Sequence, residues 1–147
     1  MSYGERAREL FQEGYNCCQA VFLACTDDLG LDTETRAKLA STFGGGVAGM
    51  RQVCGTVSGM ALALGLREGY SSPADKEGKA AQYKAFQTLA DRFKDENGSI
   101  ICRELLGLDE NCKPKPPKER TEAYYKKRPC AELCAVAAQI LEDYLAE

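Results

Sequence analysis

The chain of 147 residues contains no histidine, and that absence removes several kinds of chemistry at once. There can be no Cys-His or Ser-His catalytic pair, no Cys2His2 zinc site, no CxxCH attachment of haem c and no histidine axial ligand. No CxxC pair occurs either, which counts against a thioredoxin-type dithiol and a zinc ribbon. The P-loop pattern GxxxxGK[ST] is missing, and no nucleotide motif is expected. The longest weakly polar run, residues 53–66, is too short and too rich in glycine to span a bilayer. Met1-Ser2-Tyr3-Gly4-Glu5-Arg6 leads into a charged amphipathic segment with no apolar h-region. A protein that is not membrane-inserted, cytoplasmic and kept reduced is the expectation.

What the chain has instead is sulfur: eight cysteines. At about 5% they exceed ordinary globular usage but fall short of the roughly 8–10% of a small disulfide scaffold. A chain this long buries roughly two-thirds of its unfolded surface, so it needs no staples to make up for a missing core. In a reducing compartment, multiple cysteines point to metal or redox work, and thiolate ligands favour zinc, copper(I) or an iron–sulfur cluster.

The order of caps and breakers predicts an all-α single domain over residues 1–147, with about seven helices and a proline-rich loop before the last. Ser2 with Glu5, and Asn16 with Gln19, form capping boxes for the first two helices. Asp32 or Thr33 opens a third, which runs to Phe43 and is broken by Gly44-Gly45-Gly46. A fourth should begin near Met50 to Val53 and reach about Leu66, with Gly55 and Gly59 on one face for close approach of another helix. Ser72-Pro73-Ala74-Asp75 opens the longest helix, which Asn97-Gly98 stops. Ser99 caps a short helix closed by Gly107, and Pro129 opens the last.

On this map Cys17, Cys54, Cys102 and Cys130 fall at helix starts, where peptide dipoles and unpaired N–H groups favour a thiolate. If those four helix ends converge, they would surround one group of thiolates with positive dipole ends. Cys18, Cys25, Cys112 and Cys134 read as small buried hydrophobes, with Cys134, four residues after Cys130, open to a resolving or auxiliary role. The glycine run reads mainly as a turn placing Cys54, and secondarily as backbone N–H groups facing an anion near Arg51. Net charge is −3, yet residues 113–128 carry seven Lys or Arg against Glu119 and Glu122. With Pro114, Pro116 and Pro117 among them, the expectation is a solvated connecting loop and no nucleic-acid partner.

Gly14-Tyr15-Asn16-Cys17-Cys18-Gln19-Ala20-Val21, Phe43-Gly44-Gly45-Gly46, Val53-Cys54-Gly55-Thr56-Val57-Ser58-Gly59, Gly98 to Gly107 and Cys130 occur in that order. Together they make the chain resemble the C_GCAxxG_C_C family of redox-active proteins, marked by four cysteines and a Cys-Gly-Ala-x-x-Gly motif. The resemblance implies redox activity or metal binding at Cys17, Cys54, Cys102 and Cys130, through a disulfide couple, an iron–sulfur cluster or zinc. It also implies a redox partner or a membrane transporter as neighbour. A homodimer is compatible with the small-residue fourth helix. The one departure is Thr56, which stands where the motif has alanine.

Overall fold

The computed structural model describes residues 1–109, 111 and 113–147, with only the backbone described at 125–127. Cys112 lies outside them, and so does the expectation that it packs. The described residues form eight α-helices and no named strand, in keeping with the all-α prediction.

The first helix, α1 (Tyr3–Gln12), begins at the predicted capping box: the Ser2 side chain accepts the Glu5 N–H, and the Glu5 carboxylate accepts the Ser2 N–H. Its buried stripe of Ala7, Leu10 and Phe11 lies along the last helix, α8 (Cys130–Leu145). Packed against both is α2 (Cys17–Ala24), capped by Asn16 and Gln19 and buried along most of its length. A helix that is apolar all round must be enclosed: α2 touches α1, α8, α3 (Thr33–Ala40) and α4 (Gly55–Glu68). Outside this centre, the long α5 (Lys76–Asn97) contributes only Leu89 and Phe93 to the fully buried core, against α4 and α8. It ends as predicted, with Gly98 left-handed at φ 90°. None of the described helices is long and apolar enough to cross a membrane.

The contact of α2 with α4 follows the glycine spacing. A methyl group on Gly59 would stand 2.8 Å from Val21 Cβ and 3.0 Å from the Cys18 carbonyl. Gly65 has open space around it, and with Ala61 it lines a surface groove beside Leu62 and Leu66. One charged side chain is built into the core: Arg36 donates to the carbonyls of Leu31 and Leu23, to Thr26 Oγ1 and to Asp27 Oδ1. It ties the start of α3 to the end of α2.

Several helix starts differ from the sequence-based expectation. The start of α4 is Gly55, later than Met50 to Val53, because Gly45, Gly46, Val47, Ala48, Gly49 and Arg51 all take left-handed φ values between 49° and 76°. Backbone bonds from Ala48 N–H to Thr42 O (2.7 Å) and from Gln52 N–H to Gly46 O (2.9 Å) hold this run. Residues 44–49 also carry the letters of GxGxxG, but no strand precedes them and no helix opens on them. They therefore lack the context of a dinucleotide fingerprint. In α5, Asp75 rather than Ser72 is the cap, because its carboxylate reaches the Gly78 N–H. The short α6 (Cys102–Leu105) starts two residues later than a Ser99 cap would place it; the Ser99 hydroxyl accepts the Ile101 N–H instead. The predicted connecting loop contains a further helix, α7 (Glu122–Lys127), capped by Thr121.

Two glycines of α4 should separate close packing from helix propensity. Gly59→Ala is expected to lower unfolding free energy by about 1–3 kcal/mol through overpacking. Gly65→Ala, which meets nothing, should raise it by about 0.5–1 kcal/mol. Urea denaturation followed by circular dichroism reads both.

Candidate functional site: a pocket lined by four thiols

The four cysteines singled out by helix position occupy four separate helix N-termini. Cys17, Cys102 and Cys130 are the first residues of α2, α6 and α8, and Cys54 is the residue before α4. All four line one cavity of about 370 Å³, a size in the ordinary range for small-ligand sites. Cys54 and Cys102 are nearly enclosed, whereas Cys17 and Cys130 are only partly buried. All are free thiols.

Local backbone geometry explains the convergence. Val53 and Ile101 form an isolated antiparallel bridge, in which the Cys54 N–H donates to Ile100 O (2.8 Å) and the Cys102 N–H to Gln52 O (2.6 Å). Two residues that the chain separates by nearly fifty positions are thereby fixed side by side. Cys17 reaches the same place from α2 because Gly55 has no side chain: a Cβ there would collide with the Cys17 sulfur. Gly46 makes room in the same way, since a Cβ on it would stand 2.7 Å from that of Cys102. The left-handed run thus wraps the cavity closely enough for the Gly45 N–H to act on the Cys17 sulfur.

Each sulfur has its own surroundings. The Cys54 Sγ pairs with Thr56 Oγ1 at 3.1 Å, both fully or nearly buried. Thr56 therefore supplies a hydrogen-bond partner that an alanine could not. The Arg51 guanidinium donates to Cys102 Sγ at 3.6 Å. Near Cys130 stand Arg128 and Arg120; Arg120 also donates to the Phe11 and Tyr15 carbonyls at 2.9 Å each, with its guanidinium 4.1 Å from the Phe11 ring.

Burial raises Cys17, Cys54 and Cys130 above the ordinary thiol value, contrary to the expectation of favoured thiolates. It pushes Cys17 up to about 11, with Cys130 adding to the rise and the Gly45 N–H opposing it. Cys54 is raised to about 12 by burial and by Cys17, against the Thr56 hydrogen bonds. Burial and Cys54 raise Cys130 to about 11, while Arg128 pulls it down. Four thiols share a small low-dielectric space, so each charge disfavours the next.

The remaining described cysteines behave as the sequence suggested. Cys18, Cys25 and Cys134 are fully buried in the apolar core and lie outside the cavity lining. Cys134 is nonetheless close beneath it, with its thiol 3.8 Å from the Cys17 carbonyl. Residues 113–119 are exposed, as a solvated loop should be, but Lys115, Pro116, Pro117 and Lys118 also border the cavity. That second role was missed; the signal available was the run of basic residues ending two positions before Cys130. Among the described residues, no three Cys, Asp or Glu side chains stand at metal-holding spacing. The donor set at the cavity, four thiols without histidine, is chemically soft.

A family model described as "Putative redox-active protein (C_GCAxxG_C_C)" matches residues 15–144, so the chain belongs to that family. No curated protein and no solved structure matches it.

The hydroxyl of Thr56 opposes the rise in the Cys54 pKa, so its removal should send that value higher still. Thr56→Val is expected to slow alkylation of Cys54 at any pH below its pKa, by a factor of about ten for each unit by which the pKa rises. In the unaltered protein, alkylation of Cys17 and Cys54 should climb about tenfold per pH unit from 7 to 9, because both pKa values lie above that window. Mass spectrometry of peptides after timed iodoacetamide pulses checks both.

Proposed function

We propose that this member of a redox-active family works by thiol–disulfide exchange among Cys17, Cys54, Cys102 and Cys130. The observation that carries the reading is the arrival of four cysteines from four helix starts in one ligand-sized cavity. The positive charge of Arg128 near Cys130 supports thiolate formation at that sulfur during the reaction.

The step balances without a metal. A thiolate at the accessible pair, Cys17 or Cys130, attacks one sulfur of a disulfide; that S–S bond breaks, one thiolate leaves and takes up the proton, and a mixed disulfide remains. A second pocket cysteine attacks the protein-side sulfur of the mixed disulfide and releases the other thiol. Two protein thiols are oxidised to one disulfide, and one external disulfide is reduced to two thiols. The reverse sequence reduces the protein.

A second reading, a module that holds zinc, copper(I) or an iron–sulfur cluster and works with a transporter, is favoured by one observation. Burial, and after it the neighbouring sulfurs, raise the Cys17, Cys54 and Cys130 pKa values, and a cation among the sulfurs would offset both effects.

Exposure of the reduced protein to a small disulfide, followed by non-reducing peptide mapping, is expected to yield one linkage between two of the four pocket cysteines. Serine at either linked cysteine should abolish that linkage, while Cys25→Ser should leave it intact. A map with no linkage between any two of the four pocket cysteines would sink the exchange reading. Iron, sulfide and zinc analysis of anaerobically purified protein separates the two readings: stoichiometric metal lost in the Cys54→Ser variant would favour the second.

A further inference from the structure

The cavity is one-sided in charge. Among the described residues, its lining includes Arg51, Lys115, Lys118, Arg120 and Arg128 and no Asp or Glu, on a chain whose net charge is −3. Arg120 is tied to two backbone carbonyls. Among the described residues, however, Arg51, Lys115, Lys118 and Arg128 have no carboxylate within ion-pair distance. Arg8, Arg36, Arg67 and Arg92 by contrast pair with Glu132, Asp27, Asp28 and Glu147, although Arg103 and several lysines outside the cavity are also without a carboxylate at that distance among the described residues. What marks the cavity as a place for negative charge is the gathering of five cations around one ligand-sized space with no carboxylate among its described lining residues.

The two sources of this charge come from distant parts of the chain. Arg51 sits at the end of the left-handed run, at φ 60°, a conformation an arginine rarely adopts. That geometry holds its guanidinium at Cys102 Sγ. Lys115 and Lys118 are exposed on the proline-rich segment, which meets the left-handed run where the Lys115 carbonyl packs against Gly49. A molecule in the cavity would therefore meet positive charge from two separate stretches of the chain. Planar guanidiniums suit carboxylates in particular, because their fork of donors matches two carboxylate oxygens.

We propose that the cavity takes small disulfides that carry carboxylates, seated by Arg51, Arg128, Lys115 and Lys118 with the S–S bond at the cysteines. This rests on the thiol-exchange reading for its chemistry but not for its binding. The reaction is the one already balanced: the carboxylate disulfide is reduced to two carboxylate thiols, and two pocket cysteines become a disulfide.

The test compares three oxidants that differ in charge: dithiodipropionate (dianionic), hydroxyethyl disulfide (neutral) and cystamine (dicationic). Each rate of oxidation of the reduced full-length protein is divided by the rate of the same oxidant with mercaptoethanol, which removes intrinsic reactivity. The normalised rate for the dianion is expected to exceed that of the neutral disulfide about tenfold or more, with the dication slowest. The ranking should collapse in about 1 M salt, where the screening length is only about 3 Å. Lys115→Glu with Lys118→Glu, at exposed positions, should cut the dianion-to-neutral ratio by about threefold or more. Equal normalised rates, or a ratio unmoved by the double variant, would overturn the proposal.

Binding is read separately by calorimetry with thiodipropionate, a dicarboxylate with no S–S bond, against neutral thiodiethanol. Saturable binding of the dicarboxylate alone is expected. If it fails, the anion seat is wrong whatever the redox result. If it succeeds while no disulfide oxidises the protein, the exchange reading is the one that falls.

Discussion

The site depends on how closely α2 can approach α4. Gly55 and Gly59 remove side chains from one face of α4, and the backbone of α2 settles against it near Cys18 and Val21. That approach does two things at once. It encloses the apolar α2, on which most of the core is assembled, and it carries the first residue of α2, Cys17, to the start of α4. Packing and chemistry therefore share one constraint, and a side chain added at Gly55 would disturb both.

Within the cavity, two electrostatic effects oppose each other. Helix starts and neighbouring arginines favour negative charge on sulfur, whereas burial and the crowding of thiols disfavour it. Burial wins at Cys17, Cys54 and Cys130. The outcome is a set of thiols that stay protonated at rest and gain nucleophilicity where local donors compensate: the Gly45 N–H at Cys17, Thr56 at Cys54 and Arg128 at Cys130.

Capping residues made much of this legible in the sequence. Ser2 with Glu5, Asn16 with Gln19 and Gly98 mark helix ends through local hydrogen bonds and backbone freedom, which any chain with those letters would share. The four site cysteines could be picked out because three of their helices have such signals and the fourth follows a glycine run. The errors arose where the controlling contact is remote. The left-handed segment before α4 is held by bonds among residues 42–52 and packs against Cys102 and Lys115, so its length could not be read from Gly44-Gly45-Gly46 alone. Likewise, the bridge from Val53 to Ile101 has no alternating pattern behind it, and the Lys115 rim is a matter of where a loop lands. The role of Thr56 was likewise out of reach, because its hydroxyl has meaning only once the Cys54 sulfur is known to stand beside it.

The wide spacing of the pocket cysteines along the chain has a mechanical consequence. Neighbours in sequence among them are at least 28 positions apart, so a covalent bond between any two would tether distant stretches of the polypeptide. By chain-entropy reasoning, closing a loop of that length takes roughly 3–4 kcal/mol of freedom from the unfolded ensemble, a sizeable part of the stability of a small domain. Electrons added to or withdrawn from this site would thus change how tenaciously the whole molecule holds its shape.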